Sequence, residues 1–591
     1  MIEPNLEQRD IIDYFIEDEK GKRILLVEAP PGTGKTFTAV ATAMKYTYFN
    51  IKNNPCYNKK VLILTFSKNA RAQIEKQLDI LTGNDVKWDK YIEITNFHSF
   101  FQKYVWAYSN YLGLKDNLII MSTKQRKEIL KDKLSFIPEY DGDNNDQYNW
   151  VESLLEGDFR PLTGHGNVKS SVKKLIPYKE EIMDVIKEIN QEGYIGFSDI
   201  AYYMLELIKK SKELLNVIQN KYSLIIMDEY QDSSDLQDKI VKNLIGEENK
   251  AIFFADSKQM IYQWRGASPK RLNNLLINYQ GDIAKKELIE VMRYKNLKDI
   301  EDTIKEVRKG NYNIKDFNVS ENIKYVKVKV KDKNIYNPQV KYHMLATLKY
   351  KVLDEIKKCK DRKNKSIGIL CRGNEQVKYL KKAFRDEFNI YLKTINNQED
   401  EHNIICDLIE FMGKQTTELD EDDLCKTMLK HVFSVIEDKS IGSINRNKLD
   451  NVKFSSLNRV RKNILRSIRE NIKEAIVDKD YYSCLRSCIK ETNNSDLKIN
   501  YDMMKLAKRV LSFNTYSEER VMDIFLQYQY LQSSKELKGL YILNVHQSKG
   551  REFDYVYIID REKISKDENL LYVALSRVKE KLVVFDWAIK E

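Results

Sequence analysis

The sequence predicts an α/β protein with two parallel-sheet domains, each interrupted by a mainly helical insertion. Three observations carry that expectation. Short, β-branched apolar runs recur along the 591 residues and give way to helix-like text rather than to tight turns, the order that yields parallel strands joined by crossover helices. One of them, Ile24 to Val27, runs straight into Ala29-Pro30-Pro31-Gly32-Thr33-Gly34-Lys35-Thr36 and then a helix-like Phe37 to Tyr46. The alternation lapses twice, from about Trp106 to Asn190 and from about Asn396 to Lys535, where the text is polar and helical. The predicted division is therefore 1–105 with 191–285 as the first sheet domain, 106–190 as its insertion, 286–395 with 536–591 as the second, and 396–535 as the second insertion. No internal repeat of fixed period is present.

The glycine-rich stretch is a phosphate-binding loop in its expected strand-to-helix setting. Backbone N–H groups can point at phosphate oxygens, Gly32 and Gly34 permit close approach around Thr33, Lys35 can reach terminal phosphates, and Thr36 can ligate Mg²⁺. Ala29 stands where the usual pattern has its first glycine, away from the crowded positions. Upstream, Gln8 heads a helical pattern with Ile11, Ile12, Phe15 and Ile16 on one side, and its amide could read the edge of adenine. The expected ligands are ATP and Mg²⁺.

The next strand, Val61 to Thr65, ends in Phe66-Ser67-Lys68-Asn69-Ala70, and Ile92 to Thr95 runs into Asn96-Phe97-His98-Ser99-Phe100. After the first insertion, Tyr222 to Met227 delivers Asp228-Glu229-Tyr230-Gln231-Asp232. Adjacent carboxylates after a buried strand are costly unless a cation sits with them. The Mg²⁺ of a nucleotide supplies it, with Asp228 holding the metal and Glu229 taking the proton from attacking water. The strand Ala251 to Phe254 leads to Gln259, placed to sense a γ-phosphate, and to Tyr262, Trp264 and Arg265. Trp264 beside Arg265 either stacks on a base or packs in the core. The second sheet has strand text at Tyr325 to Val330, Ile367 to Leu370, Leu540 to Val545, Val556 to Ile559 and Leu582 to Phe585.

Composition narrows the class. Hydrophobic content of 42% suits globular packing, no apolar run reaches the roughly 18 residues of a membrane span, and MIEPNLEQRD has no signal-peptide core. Seven scattered cysteines fit a reducing, cytoplasmic setting, and Cys484 and Cys488 lack the nearby partners of a metal site. The net charge of +11 favours a polyanionic partner, although a lysine-rich solvated surface accounts for it equally well. The sequence stops soon after its last strand text, so no C-terminal nuclease is expected in it.

Together these stretches resemble the UvrD/Rep/PcrA group of superfamily 1 helicases. Asp228, Glu229, Gln231 and Asp232 match the family's DExxQ box, and Gln259, Tyr262, Trp264 and Arg265 match QxxYxWRGA. Met292-Arg293-Tyr294 resembles NYRS, Ile367 to Gln376 resembles AVLYRTNAQ, Val545 to Phe553 resembles VHSAKGLEF, and Leu571 to Arg577 resembles LLYVAxTRA. The resemblance implies two RecA-like motor domains and ATP hydrolysis coupled to 3′-to-5′ movement on single-stranded DNA or on a duplex with a 3′ single-stranded tail. It makes Arg293 a γ-phosphate contact, Arg577 an arginine finger, and Gly550 and Glu552 part of the nucleotide site. Phe66, Asn69, Phe97, His98, Tyr262, Trp264, Arg265, Arg372 and His546 become candidate DNA contacts. The chain departs from the family at two places, where Phe37 and Met292 stand for an arginine and an aromatic that sandwich adenine.

DEYQDS, KQxIYxWRGA and VHxxKGxEF also resemble the helicase component of the Gabija antiphage system, which makes a nuclease subunit a candidate partner and either DNA repair or antiphage defence the setting. The alternatives are an ATP-hydrolysing regulatory subunit that senses DNA and controls such a nuclease without processive unwinding, and an RNA-acting relative.

Overall fold

Apolar residues along the strands alternate between two cores, and that alternation builds the first sheet. The chain enters through β1 (Ile24–Glu28), β2 (Lys60–Thr65) and β3 (Ile92–Asn96), with the helices Lys35–Asn53 and Lys68–Thr82 as crossovers. It then runs through a helical segment, where β4 (Ile119–Ile120) and β5 (Tyr194–Ile195) form a separate parallel pair, and returns as β6 (Tyr222–Met227), β7 (Lys250–Ala255) and β8 (Ile283–Glu287). The six-stranded order is β3-β2-β6-β7-β1-β8, with every neighbour parallel. Ile24 and Leu26 of β1 face a core shared with Phe97, Phe101, Met204 and Leu207, whereas Leu25 and Val27 face Val40, Ala43 and Tyr46. Burial on both faces is why β1 reads as an unbroken apolar run.

This computed structural model describes residues 3–17, 21–82, 88–121, 123–157, 168–262, 267–293, 297–311, 320–330, 338–358, 365–385, 440–441, 444–445 and 539–589. The sequence reading gave no strand at β8. Its text, IAKKE, is too polar for that signal, because β8 is an edge strand with one face towards solvent. Lys285 and Lys286 are the charges that keep such an edge from pairing with another chain.

The second sheet follows the same rule. It contains β9 (Ile323–Val330) and β10 (Ser366–Cys371). Residues Asn396–Lys535 form a separate compact unit, in which the described residues are an antiparallel pair, β11 (Ser440–Ile441) and β12 (Ile444–Asn445). The helices expected across that unit lie outside the described residues, as do Cys484 and Cys488. The sheet resumes as β13 (Gly539–Asn544), β14 (Phe553–Ile559) and β15 (Val578–Ile589), in the parallel order β13-β10-β14-β15-β9. Ile369, Ile542 and Tyr557 point to one core and Leu370, Leu543 and Ile558 to the other.

Between β3 and β6, the helices Thr123–Lys133, Asn145–Gly157 and Lys179–Gln191 close their own core on Leu130, Trp150, Leu154 and Ile186. Arg126, 1% exposed, is buried there between Glu152 and Asp199, each at 2.8 Å. Among the described residues no helix is long and apolar enough to cross a membrane.

Candidate nucleotide site and nucleic-acid face

The loops that follow the carboxyl ends of β1, β6 and β7 converge, as the ligand face of a parallel sheet should. After β1 the chain passes through Gly32 (φ +81°) and Gly34 (φ +85°), both in the left-handed region. A Cβ on Gly32 would lie 2.9 Å from Arg293 Cβ, and one on Gly34 would lie 2.5 Å from Gln8 Nε2. Glycine is therefore required there by conformation and by space. Thr33 is fully buried and its Oγ1 donates to the Pro30 carbonyl at 2.8 Å, holding the turn. Gln8 is 2% exposed; Asn5 caps its helix, and its Nε2 donates to the Thr33 carbonyl at 3.0 Å. The amide expected to read a base is thus tied to the phosphate loop itself.

Asp228 and Glu229 follow β6. Glu229 has φ +56°, a conformation rare outside glycine that strains the backbone where the side chain must turn back to the loop. Lys35 Nζ lies 2.9 Å from Glu229 Oε1, and Gln231 Nε2 donates to Glu229 Oε2 at 2.5 Å. Burial pushes the Asp228 carboxyl up, repulsion from Glu229 adds to it, and the result is about 6. Burial acts on Glu229 in the same sense, but Lys35, Lys549 and the hydrogen bonds outweigh it and hold that carboxyl at about 2. Lys35 stays above its ordinary value, because Glu229, Asp228 and Asp256 overcome the burial that would lower it. A buried carboxylate oxygen and a hydroxyl such as those of Asp228 and Thr36 are hard oxygen donors of the kind Mg²⁺ takes, one or two from protein and the rest from phosphate and water.

The second sheet supplies the opposite wall. Arg293 donates from Nη1 to the Ser576 carbonyl at 2.8 Å and ion-pairs with Glu552, while its backbone N–H and that of Met292 donate to the Gly32 carbonyl at 3.2 and 2.8 Å. Arg577 is 5% exposed and donates from Nη2 to Gln259 Oε1 at 3.0 Å. Lys549 ion-pairs with Asp232 and donates to the Gln259 carbonyl at 2.6 Å. Lys35, Glu229, Gln259, Arg293 and Arg577, read from five separate stretches, are thereby brought into one cleft. Gly550 (φ +73°) lies on its rim, its carbonyl accepting from Gln73 Nε2 at 2.8 Å, and Phe37 is half-buried in the first turn after the loop.

Beside the cleft, Phe66 and Tyr262 stack with ring centroids 5.3 Å apart. Tyr262 OH donates to the His546 carbonyl at 3.3 Å, and Lys549 Nζ sits 5.2 Å from the Tyr262 ring. His98 stacks on Phe197 at 3.9 Å, and Phe197 is 52% exposed. Phe97 does not belong to this face. It is 1% exposed and packs on Phe101 in the first core, so the expectation of a DNA contact there is corrected: on the helix Phe97–Ala107 the i,i+4 pair Phe97 and Phe101 shares the inward face, and His98, about 100° further round, leaves it. Arg372 is half-buried just after β10. Trp264, Arg265 and the side chain of Asn69 lie outside the described residues.

Two family models match the chain. That for the UvrD/REP helicase N-terminal domain covers residues 15–280, that for the UvrD-like helicase C-terminal domain covers 539–585, and together they span more than half of it. The chain belongs to the UvrD/Rep helicase family. Its similarity to individual relatives is low but runs nearly end to end. A protein named probable DNA helicase II homolog from Mycoplasma capricolum is 23% identical, over 96% of this chain and 84% of its own length. ATP-dependent DNA helicase PcrA of Staphylococcus aureus is 22% identical over 95% and 80%, and ATP-dependent DNA helicase Rep of Buchnera aphidicola is 24% identical over 89% and 82%.

Within this UvrD/Rep-family chain, sequence reasoning missed Phe197, Asp256, Lys549 and Arg308 as site-bordering residues. An aromatic between Gly196 and Ser198 was the available signal for Phe197. The others are ordinary charged residues whose partners lie far away in the sequence.

Proposed function

We propose that this protein is an ATP-driven single-stranded-DNA translocase and 3′-to-5′ helicase, built on two RecA-like motor domains with a helical insertion in each. The observation that supports this reading is the joining of Arg577 to Gln259 at 3.0 Å, because it ties a cation on the second sheet to the residue of the first that we expect to sense the γ-phosphate. In the proposed cycle, Lys35 and the loop N–H groups hold the ATP phosphates. Thr36 and Asp228 would hold Mg²⁺, which neutralises charge on the β- and γ-phosphates when bound.

Hydrolysis is in-line attack of water on the γ-phosphate. Glu229, kept ionised at about 2, accepts the proton, while Arg293 and Arg577 stabilise charge developing in the transition state. The Lys35–Glu229 ion pair must open when ATP arrives, since Lys35 then turns to phosphate. Binding ATP closes the two walls of the cleft and release of the products opens them, and the Phe66–Tyr262 stack alongside passes that movement to a strand of bases. DNA is the partner named for the relatives above, and it is the substrate proposed here.

Directional movement is tested by displacement of streptavidin from biotin at either end of an oligonucleotide. ATP-dependent displacement from the 5′ end alone is the expected outcome. Displacement from the 3′ end, or none with intact ATP turnover, contradicts the polarity or the movement, the latter favouring a sensor that controls a partner nuclease.

A further inference from the structure

Arg308 closes the helix Lys298–Lys309, whose apolar residues Ile300, Ile304 and Val307 pack into a core of the second sheet. Its guanidinium leaves that core and crosses to the first sheet. Nη1 donates to Asp256 Oδ1 at 2.7 Å and to the Tyr572 hydroxyl at 2.9 Å, and Nη2 lies 3.3 Å from Glu28 Oε1. Asp256 follows β7 and is fully buried, so its carboxylate needs a cation and hydrogen-bond donors to remain charged. Among the described ion pairs, Arg308 is the cation that meets it.

Asp256 in turn sets two amides. Its Oδ2 accepts from Gln259 Nε2 at 2.9 Å, which leaves Gln259 Oε1 to receive Arg577 at 3.0 Å. Its backbone N–H donates to Gln231 Oε1 at 3.1 Å, which leaves Gln231 Nε2 to donate to Glu229 Oε2 at 2.5 Å. An amide with one end fixed has its other end assigned, donor or acceptor, without further choice. The arginine opposite therefore depends on the orientation of one carboxylate, clamped from the far wall of the cleft, whereas Gln231 and with it Glu229 depend on the Asp256 main chain.

We propose that Arg308 is a positioning residue for hydrolysis. By neutralising Asp256 across the cleft it fixes the Gln259 amide, and through it Arg577, only while the two walls are together. The inference rests on the ATPase reading above and adds a further cross-cleft link to those of Arg577 and Lys549, one that ends on a buried carboxylate. A flexible lysine presents one ammonium, where the planar guanidinium reaches Asp256, Tyr572 and Glu28 at once, so Arg308→Lys keeps the charge but not the geometry.

The guanidinium also borders a cavity of about 350 Å³ lined by Pro30, Pro31, Ile304 and Tyr572. Shortening the side chain enlarges an existing space rather than opening a closed core.

The test is steady-state ATP turnover by the full chain, saturated with single-stranded DNA, for wild type, Lys35→Ala, Arg308→Met, Arg308→Lys and Tyr572→Phe. Arg308→Met is expected to lower kcat about 10- to 100-fold, the scale of a misplaced catalytic group. KM for ATP should stay within about threefold, because the nucleotide-holding residues are untouched. Arg308→Lys should recover part of the loss, and Tyr572→Phe should cause a smaller fall in kcat. A wild type that does not hydrolyse ATP, or a Lys35→Ala variant as active as wild type, removes the ATPase reading and this inference with it. With wild type active and Lys35→Ala inactive, an unchanged kcat in Arg308→Met, or a rise in KM alone, overturns the role of Arg308 by itself. Should Arg308→Met fail to fold, wild-type kcat in both Arg308→Lys and Tyr572→Phe overturns it equally.

Discussion

Arg577 donates from Nη2 to Gln259 Oε1 at 3.0 Å, joining residues 318 positions apart across the two sheets. Its Nε is held by the Val573 carbonyl at 3.0 Å, so the guanidinium is aimed by its own chain. A pre-aimed cation acts mainly on charge that develops in the transition state. Arg577→Ala is therefore expected to reduce kcat by roughly 10³ or more while leaving binding of a non-hydrolysable ATP analogue nearly unchanged. Turnover assays paired with nucleotide binding check this, and a variant that changed only DNA affinity would place Arg577 outside the reaction.

Lys35 and Glu229 form one ion pair at 2.9 Å, yet their losses should differ. Lys35→Ala removes a phosphate contact and weakens ATP binding. Glu229→Gln keeps the shape and the amide contact but cannot accept a proton, so ATP should remain bound and unhydrolysed. Each variant should fall by about 10² to 10⁴ in rate, and near-wild-type activity in either would sink the assignment.

The Phe66–Tyr262 stack is the proposed face for bases, beside the phosphate loop. Phe66→Ala should weaken binding of single-stranded DNA by about 1 to 3 kcal/mol, roughly 5- to 150-fold, with the DNA-free ATPase little altered. Fluorescence anisotropy at low and moderate salt measures it. Trp264→Ala carries the same expectation. If the binding is through phosphates as well as bases, wild-type affinity drops steeply with salt, and a flat response counts against a nucleic-acid partner.

Base choice should rest on Gln8 once ATP draws its amide from the Thr33 carbonyl and the Asn5 N–H that hold it, because neither Phe37 nor Met292 carries a charge. Asn5 Nδ2 lies 3.8 Å from Met292 Sδ and 2.8 Å from Glu290 Oε2, so this edge of the site is polar but anchored to its own chain. Gln8→Ala is expected to make GTP and ATP nearly equivalent competitors. Persistent ATP preference in that variant would mean that another group reads the purine.

The buried strands and the phosphate loop were legible because both leave local marks: buried parallel strands are continuous apolar runs, and Gly32 and Gly34 are demanded by φ and by the approach of Arg293 and Gln8. Strand β8 was not, since an exposed edge keeps polar text. Phe97 and His98 are neighbours in one motif, and only packing against Phe101 separates the buried one from the outward one. The Asp256–Arg308 link leaves no trace in sequence spacing. Both are common charged residues, 52 positions apart, and what selects them is the closing of one sheet on the other.

The most direct measurement of the central claim is the rate of ATP hydrolysis with single-stranded DNA, compared with RNA, with blunt duplex and with no nucleic acid. A translocase whose cleft closes around ATP only when bases occupy the Phe66–Tyr262 face should be stimulated strongly by single-stranded DNA, and should lose that stimulation in Lys35→Ala. Equal rates under all four conditions, or stimulation by RNA alone, would contradict it.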